Sequence, residues 1–147
     1  MTTAADLVGS WHLERWETRY DDGRVIHPMG ADAQGLLFYS ADGYMAAILY
    51  RNARAPFTTG EALTAGVEEK VGGWDSYFSY AGRYTVVGDN VHHMVEVSQY
   101  PNWVGTTQIR VMSCRGDELS LTTLPQTTRR GVQTSELRWR RTRAAVR

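Results

Sequence analysis

The sequence predicts an all-β protein, an eight-stranded antiparallel up-and-down barrel with one short helical insertion. Runs rich in β-branched and aromatic residues, with 5 Trp and 8 Tyr in 147 residues, alternate with Gly- and Asp-containing turn signals. The connections between these runs are short and the chain has no internal repeat. Sequential strands with short connections favour a closed barrel, whereas a two-sheet sandwich, the alternative, normally needs longer crossing connections.

Eight segments carry a strand pattern. The first follows the N-terminus and ends at Asp21-Asp22-Gly23-Arg24, and three hairpins and a closing strand come after it. A crossover loop, residues 25–30, leads into the first hairpin. The predicted strands are residues 7–20, 35–40, 44–51, 78–87, 91–100, 104–114, 118–124 and 132–141.

Residues 56–76 interrupt the strand pattern. Leu63, Val67, Val71 and Trp74 recur at near-helical spacing, which predicts a short amphipathic helix. We expect this helix either to cover the sheet or to act as a mobile lid over an opening of the barrel.

The central hairpin turns at Gly88-Asp89 or Asp89-Asn90. A two-residue loop at either place gives the same facing, because side chains alternate along a strand. Of the adjacent residues His92 and His93, only His93 then faces the interior. The predicted inward set is Phe78, Tyr80, Gly82, Tyr84, Val86, Val91, His93, Val95 and Val97.

The next hairpin leaves two facings open. A two-residue loop places Gln108, Arg110 and Met112 on the face of the two leucines in residues 118–124. If those leucines point inward, Arg110 points inward as well. The opposite facing buries the apolar neighbours of Arg110 and leaves its guanidinium outside.

The amino-acid composition argues against several classes of function. The chain has 16 Lys+Arg and 16 Asp+Glu, so no overall charge favours nucleic acid or an anionic membrane. The lone Cys114 excludes an internal disulfide, and no apolar run resembles a signal peptide or membrane span. We therefore expect one cytoplasmic domain, residues 1–147, with a flexible Arg-rich tail at about 143–147. The oligomeric state stays open, with a homodimer as one option.

Several motifs together resemble a known family. Gly9-Ser10-Trp11 looks like the Gly-x-Trp signature of lipocalins and fatty-acid-binding proteins, and the full ordered set resembles the bacterial and fungal lipocalin-like domain family. That resemblance implies a calycin-type barrel with an internal pocket, and a basic residue of the last strand, Arg138 or Arg140, packed across the signature Trp. The motifs are residues 7–11, 23–30, 35–39, 42–45, 80–84 and 101–105.

The chain departs from secreted lipocalins in having no disulfide and no Thr-Asp-Tyr motif. This argues against a carrier of the vertebrate secreted type. Several proteins of similar barrel shape act as cyclases or isomerases in natural-product pathways. The resemblance is therefore compatible with an enzyme as well as with a carrier.

The predicted pocket suits a small apolar or aromatic molecule. His93 could act as general acid or base, assisted by the Tyr84 hydroxyl, while an inward Arg110 could hold a carboxylate or enolate. The alternative for His93 is a core histidine bonded to Tyr84, Tyr39 or the backbone. The remaining predicted ligand contacts are Tyr39, Phe78, Tyr80, Val95, Val97, Trp103, Gln108 and Met112.

No metal or cofactor is expected. His92 and His93 face opposite sides of a strand and cannot chelate one ion, a His27–His93 site lacks a motif, and no phosphate-binding loop or zinc signature occurs. Two hypotheses follow: a cofactor-free cyclase or isomerase that uses His93, Tyr84 and Arg110, or a non-catalytic binding or carrier protein with the same pocket.

Overall fold

The computed structural model describes residues 1–143. The predicted tail, residues 143–147, lies outside the described residues apart from Arg143. Two helices, α1 (Ala4–Leu7) and α2 (Val67–Asp75), and two 3₁₀ turns, at Ala62–Thr64 and Pro101–Trp103, accompany the strands. The strands are β1 (Gly9–Tyr20), β2 (Val25–Ile26), β3 (Gln34–Tyr39), β4 (Tyr44–Tyr50), β5 (Tyr77–Val87), β6 (Asn90–Ser98), β7 (Thr107–Arg115), β8 (Glu118–Thr123), β9 (Gln126–Thr128) and β10 (Gly131–Arg141).

The strands close into an antiparallel barrel of eight. Neighbouring strands of the barrel pair in the order β1, β3, β4, β5, β6, β7, β8 and β10. The last strand, β10, pairs with β1 from Trp11↔Arg141 to Tyr20↔Gln133 and closes the barrel. Closure leaves no unpaired edge in this set and confirms the predicted fold. The short strand β2 pairs with the end of β1, and the short strand β9 pairs with the start of β10, both at the same end of the barrel.

The other end is closed by α1 and the start of β1. Leu7 is fully buried, and its carbonyl accepts a hydrogen bond of 3.0 Å from Trp11 Nε1. The Arg141 guanidinium lies 4.2 Å from the centroid of the Trp11 ring and donates to the carbonyls of Val8 and Asp6, at 2.7 and 2.8 Å. A cation–π contact and three hydrogen bonds therefore fix the N-terminal segment across this end.

The prediction that Arg138 or Arg140 crosses the signature Trp was wrong. Trp139 is buried inside the barrel, so alternation turns its two neighbours outward and brings Arg141 to the inner face. Arg138 instead pairs with Glu136 on the exterior, at 2.8 Å.

A β-bulge in the central hairpin changes one predicted facing. The hairpin has the expected two-residue loop, but the register of β5 with β6 shifts between Ala81 and Gly82. Beyond this shift Val97 is opposite Ala81 and is 61% exposed, so its predicted inward position was wrong. Gly82 is needed at the bulge, because a Cβ there would lie 2.0 Å from the Met94 carbonyl oxygen.

The helical insertion does not cover the sheet with its apolar side. The predicted helix is present as α2, but Leu63, Val67, Val71 and Trp74 are all more than half exposed. The lid role stays a prediction. Within residues 1–143, no helix is long and apolar enough to cross a membrane.

Gly82→Ala should destabilise the protein by about 2–3 kcal/mol, because the added methyl overlaps the backbone of β6 and forces the bulge to move. Urea unfolding measures the effect. Gly60→Ala is the matched control, since a Cβ there meets nothing within 4 Å, and it should change stability by less than about 0.5 kcal/mol. Equal stability of the two variants would contradict the steric role of Gly82.

Candidate functional site

A cavity of about 270 Å³ lies inside the barrel, toward the end opposite α1. Its walls are mainly apolar, and β1, β3, β4, β5, β8 and β10 all contribute to them. A larger groove of about 490 Å³ lies elsewhere, but charged side chains such as Glu14, Arg115 and Arg138 dominate its lining. The apolar and aromatic residues of the interior cavity are Trp16, Leu37, Ala47, Leu49, Phe78, Tyr80, Trp103, Leu121, Leu137 and Trp139.

Three aromatic rings form one wall of the cavity. Trp103 meets the rings of Phe78 and Tyr80 in edge-to-face geometry, with centroid distances of 5.1 and 5.2 Å. The 3₁₀ turn Pro101–Trp103 places the indole there from outside the strands. Such a wall offers both faces and edges to a flat ligand.

His93 belongs to a buried chain of three polar side chains. Its Nε2 lies 2.6 Å from the Tyr39 hydroxyl, and its Nδ1 lies 2.8 Å from the Tyr80 hydroxyl. β3, β5 and β6 supply one member each, and His93 and Tyr80 also line the cavity. Because a neutral imidazole has one N–H and one bare nitrogen, one tyrosine donates to His93 and the other accepts from it.

The three hydrogen-bonded side chains, Tyr39, His93 and Tyr80, are all uncharged near pH 7. Burial lowers the pKa of His93 to about 3, and the positive charge of Arg110 acts in the same direction. Burial also raises the pKa of Tyr80 and holds that of Tyr39 well above its ordinary value, although the charge of Arg110 opposes both shifts. The three groups therefore bond to one another as neutral species.

Arg110 faces the interior, as one of the two predicted facings requires. Leu119 and Leu121 are buried on β8, and Arg110, on the same face of the hairpin, is 9% exposed. Its Nη1 donates to the Ile109 carbonyl at 3.0 Å, and its guanidinium lies 6.0 Å from the Trp103 ring centroid. Among the residues that the structure describes, no carboxylate forms an ion pair with Arg110.

Two further hydrogen-bond donors of the lining have no acceptor. The indole nitrogens of Trp16 and Trp139 are buried and unpartnered within residues 1–143. Neutral polar side chains complete the wall: Thr123, Gln126, Gln133 and Ser135.

The structure brings together five of the predicted site residues. His93, Arg110, Phe78, Tyr80 and Trp103 all line the cavity. Tyr39 lies behind His93 and contacts it, but is not part of the lining.

The other predicted site residues lie away from the cavity lining. The Tyr84 hydroxyl donates to the Ser40 carbonyl at 2.8 Å, Val95 and Met112 are buried in the core, and Gln108 donates to Thr106 near the barrel end.

Sequence reasoning missed the contribution of β1 and β10. An inward Trp139 would have identified the cavity-facing side of β10, because every second residue of a strand lies on the same face. The residues on that side are Gln133, Ser135, Leu137 and Trp139. Strict alternation from Trp11 puts Trp16 on the outer face of β1, but a register shift between Leu13 and Arg15 turns it inward. No sequence signal marks that shift.

This chain resembles a known protein family and two individual proteins. The sequence model of a family described as lipocalin-like domain matches residues 8–142. A carrier protein of Aspergillus oryzae, named 4'-hydroxy-3'-methoxypropiophenone carrier protein, is 38% identical over 96 residues, covering 58% of this chain and 86% of that protein. A crystal structure of a lipocalin-like protein from Bacteroides uniformis aligns with 93% of this chain and 99% of its own, at 15% identity and a TM-score of 0.49.

Burial of neutral His93 should make stability depend on pH. The pKa of His93 is about 3 in the folded protein and near 6.5 when unfolded, so the unfolded chain binds more protons between those values. Stability is therefore lost as the pH falls from about 6.5 toward 3. Between about pH 7 and 4.5, wild type should lose about 2–3 kcal/mol more than His93→Gln, measured by urea unfolding. Parallel profiles would contradict the neutral burial of His93.

Proposed function

The chain belongs to the lipocalin-like domain family, and we propose that it binds a small aromatic molecule in the barrel cavity and carries it without changing it. The observation that carries this proposal is the interior cavity of about 270 Å³ with aromatic walls. Ligand sites of small molecules are typically concave, mostly apolar and equipped with a few fixed polar groups. This cavity has that character and a volume close to the lower end of the usual range, about 300 Å³.

The name of the fungal relative supports an aromatic ketone as the ligand class. A hydroxy-methoxypropiophenone has one flat ring, a phenolic oxygen and a ketone oxygen. The edge-to-face wall of Phe78, Tyr80 and Trp103 suits the ring, and Arg110 and the two unpartnered indoles suit the oxygens. We use this compound as the probe ligand below.

Cyclase or isomerase activity is the second candidate, and it rests on His93 at the cavity wall. The hydrogen bonds of His93 and its low pKa both weigh against this activity. Both imidazole nitrogens are already bonded to tyrosines, and a pKa of about 3 makes His93 a weak base. The carrier function is therefore the preferred proposal.

Ala47→Leu should weaken binding of 4'-hydroxy-3'-methoxypropiophenone by roughly tenfold or more, because the larger side chain occupies part of the cavity. Isothermal titration measures the affinity, and quenching of tryptophan fluorescence reports contact with the lining. Ala46→Leu, one residue earlier and on the opposite face of β4, is the matched control and should bind as wild type does. Equal affinity of both variants, with thermal stability unchanged, would place the ligand outside the cavity.

Exchange of the ligand protons next to the ketone carbonyl distinguishes the carrier proposal from the isomerase alternative. An acid–base isomerase acting on this ligand class should accelerate exchange of the protons next to the carbonyl with D₂O, and His93→Gln should abolish the acceleration. The carrier proposal expects the exchange rate, followed by proton NMR at saturating protein, to equal or fall below that of the free compound. Accelerated exchange that depends on His93 would overturn the carrier proposal.

A further inference from the structure

Among the described residues, the cavity lining contains two unpartnered hydrogen-bond donors and one guanidinium without a carboxylate partner. Arg110 is 9% exposed and donates to the Ile109 carbonyl at 3.0 Å, and its guanidinium also interacts with the neutral Tyr80 hydroxyl. No carboxylate of the described residues pairs with it. The indole nitrogens of Trp16 and Trp139 are buried in the same lining without an acceptor. The acceptors of the lining are neutral amide and hydroxyl oxygens, and its described residues include no negatively charged group.

The titratable neighbours of Arg110 do not supply that charge. His93, Tyr80 and Tyr39 are the groups whose pKa values its charge affects most directly, and all three are neutral near pH 7. The remaining polar lining, represented by Gln133 and Ser135, is uncharged. Within residues 1–143, the positive charge of Arg110 thus has no negatively charged partner in the cavity lining.

An uncompensated buried charge is unfavourable unless something pairs with it. Removing a charged group from water costs several kcal/mol, and an opposite charge at hydrogen-bond distance offsets that cost. A planar guanidinium can donate two parallel hydrogen bonds to a single anionic group. The ring of Trp103, 6.0 Å away, offsets only a small part of the cost.

We propose that Arg110 makes the cavity selective for an anionic aromatic ligand, and specifically that a 4-acylphenol binds as its phenolate with the oxygen at the guanidinium. This inference rests on the proposed function and adds the charge state and orientation of the ligand. On binding, the phenol loses its proton to the solvent and no other bond changes. The para carbonyl delocalises the phenolate charge into the ring, which makes this ionisation accessible near neutral pH.

The experiment compares two ligands that differ by one methyl group. 4'-Hydroxy-3'-methoxypropiophenone can ionise, whereas 3',4'-dimethoxypropiophenone cannot. At a pH where the free phenol is mostly protonated, wild-type protein should shift the absorption of the first compound to the longer wavelength of its phenolate. Titration calorimetry in two buffers of different ionisation enthalpy should detect the released proton, and the dimethoxy compound should bind at least tenfold more weakly.

Arg110→Gln should remove the absorption shift and the preference between the two compounds. Because it deletes an unpaired buried charge, it should leave stability unchanged or increased, whereas loss of a purely structural group would lower it. Arg115→Gln removes the same charge from an exposed position on the same strand and should bind as wild type does. Arg110→Lys keeps the charge and should retain part of the shift.

The outcomes separate the two proposals. Equal binding of both compounds by wild type, without an absorption shift, would overturn the anionic selectivity and leave the carrier function standing. A shift that persists in Arg110→Gln would assign the phenolate to a different group and overturn the role of Arg110. Binding of neither compound would overturn the proposed function and this inference with it.

Discussion

The pairing of β1 with β10 is the constraint on which the interior of this protein depends. It converts an antiparallel sheet into a closed barrel and removes the sheet edges. At the start of this seam, Arg141 stacks on Trp11 and binds the carbonyls of residues 6 and 8, so the N-terminal segment closes one end. The cavity, with its buried polar groups, lies toward the opposite end of the barrel.

Two register shifts decide which side chains meet in that cavity. The shift in β1 between Leu13 and Arg15 turns Trp16 inward, and the shift between Ala81 and Gly82 turns Val97 out to solvent. Each inserts one residue against a partner strand, which reverses the facing of everything beyond it. The lining is therefore not the simple alternate set of each strand.

Strict alternation explains what the sequence could predict about fold and site. It brought Phe78, Tyr80 and His93 to the interior, and it tied Arg110 to the leucines of β8, so that a single choice of facing decided its position. It failed for Trp16 and Val97, because a bulge is an irregularity that periodicity does not contain. The partners of His93 were predicted in part. Tyr39 was one of the candidates and bonds to Nε2, whereas Tyr84, opposite His93 in the β5–β6 pairing, does not, and the second partner is Tyr80.

The buried polar groups of the barrel divide into two kinds with different consequences. Tyr39, His93 and Tyr80 satisfy one another as neutral groups, so they contribute to a well-defined core and need nothing from outside. Arg110 is the opposite case, because the described residues give its charge only neutral partners and no counterion. A ligand that binds only the folded state raises the free energy of unfolding. A buried charge that lacks a partner until the ligand binds therefore makes the stability of the barrel depend on ligand binding. Under the proposed anionic selectivity, the charge that makes burial of Arg110 costly is also the charge that selects the ligand.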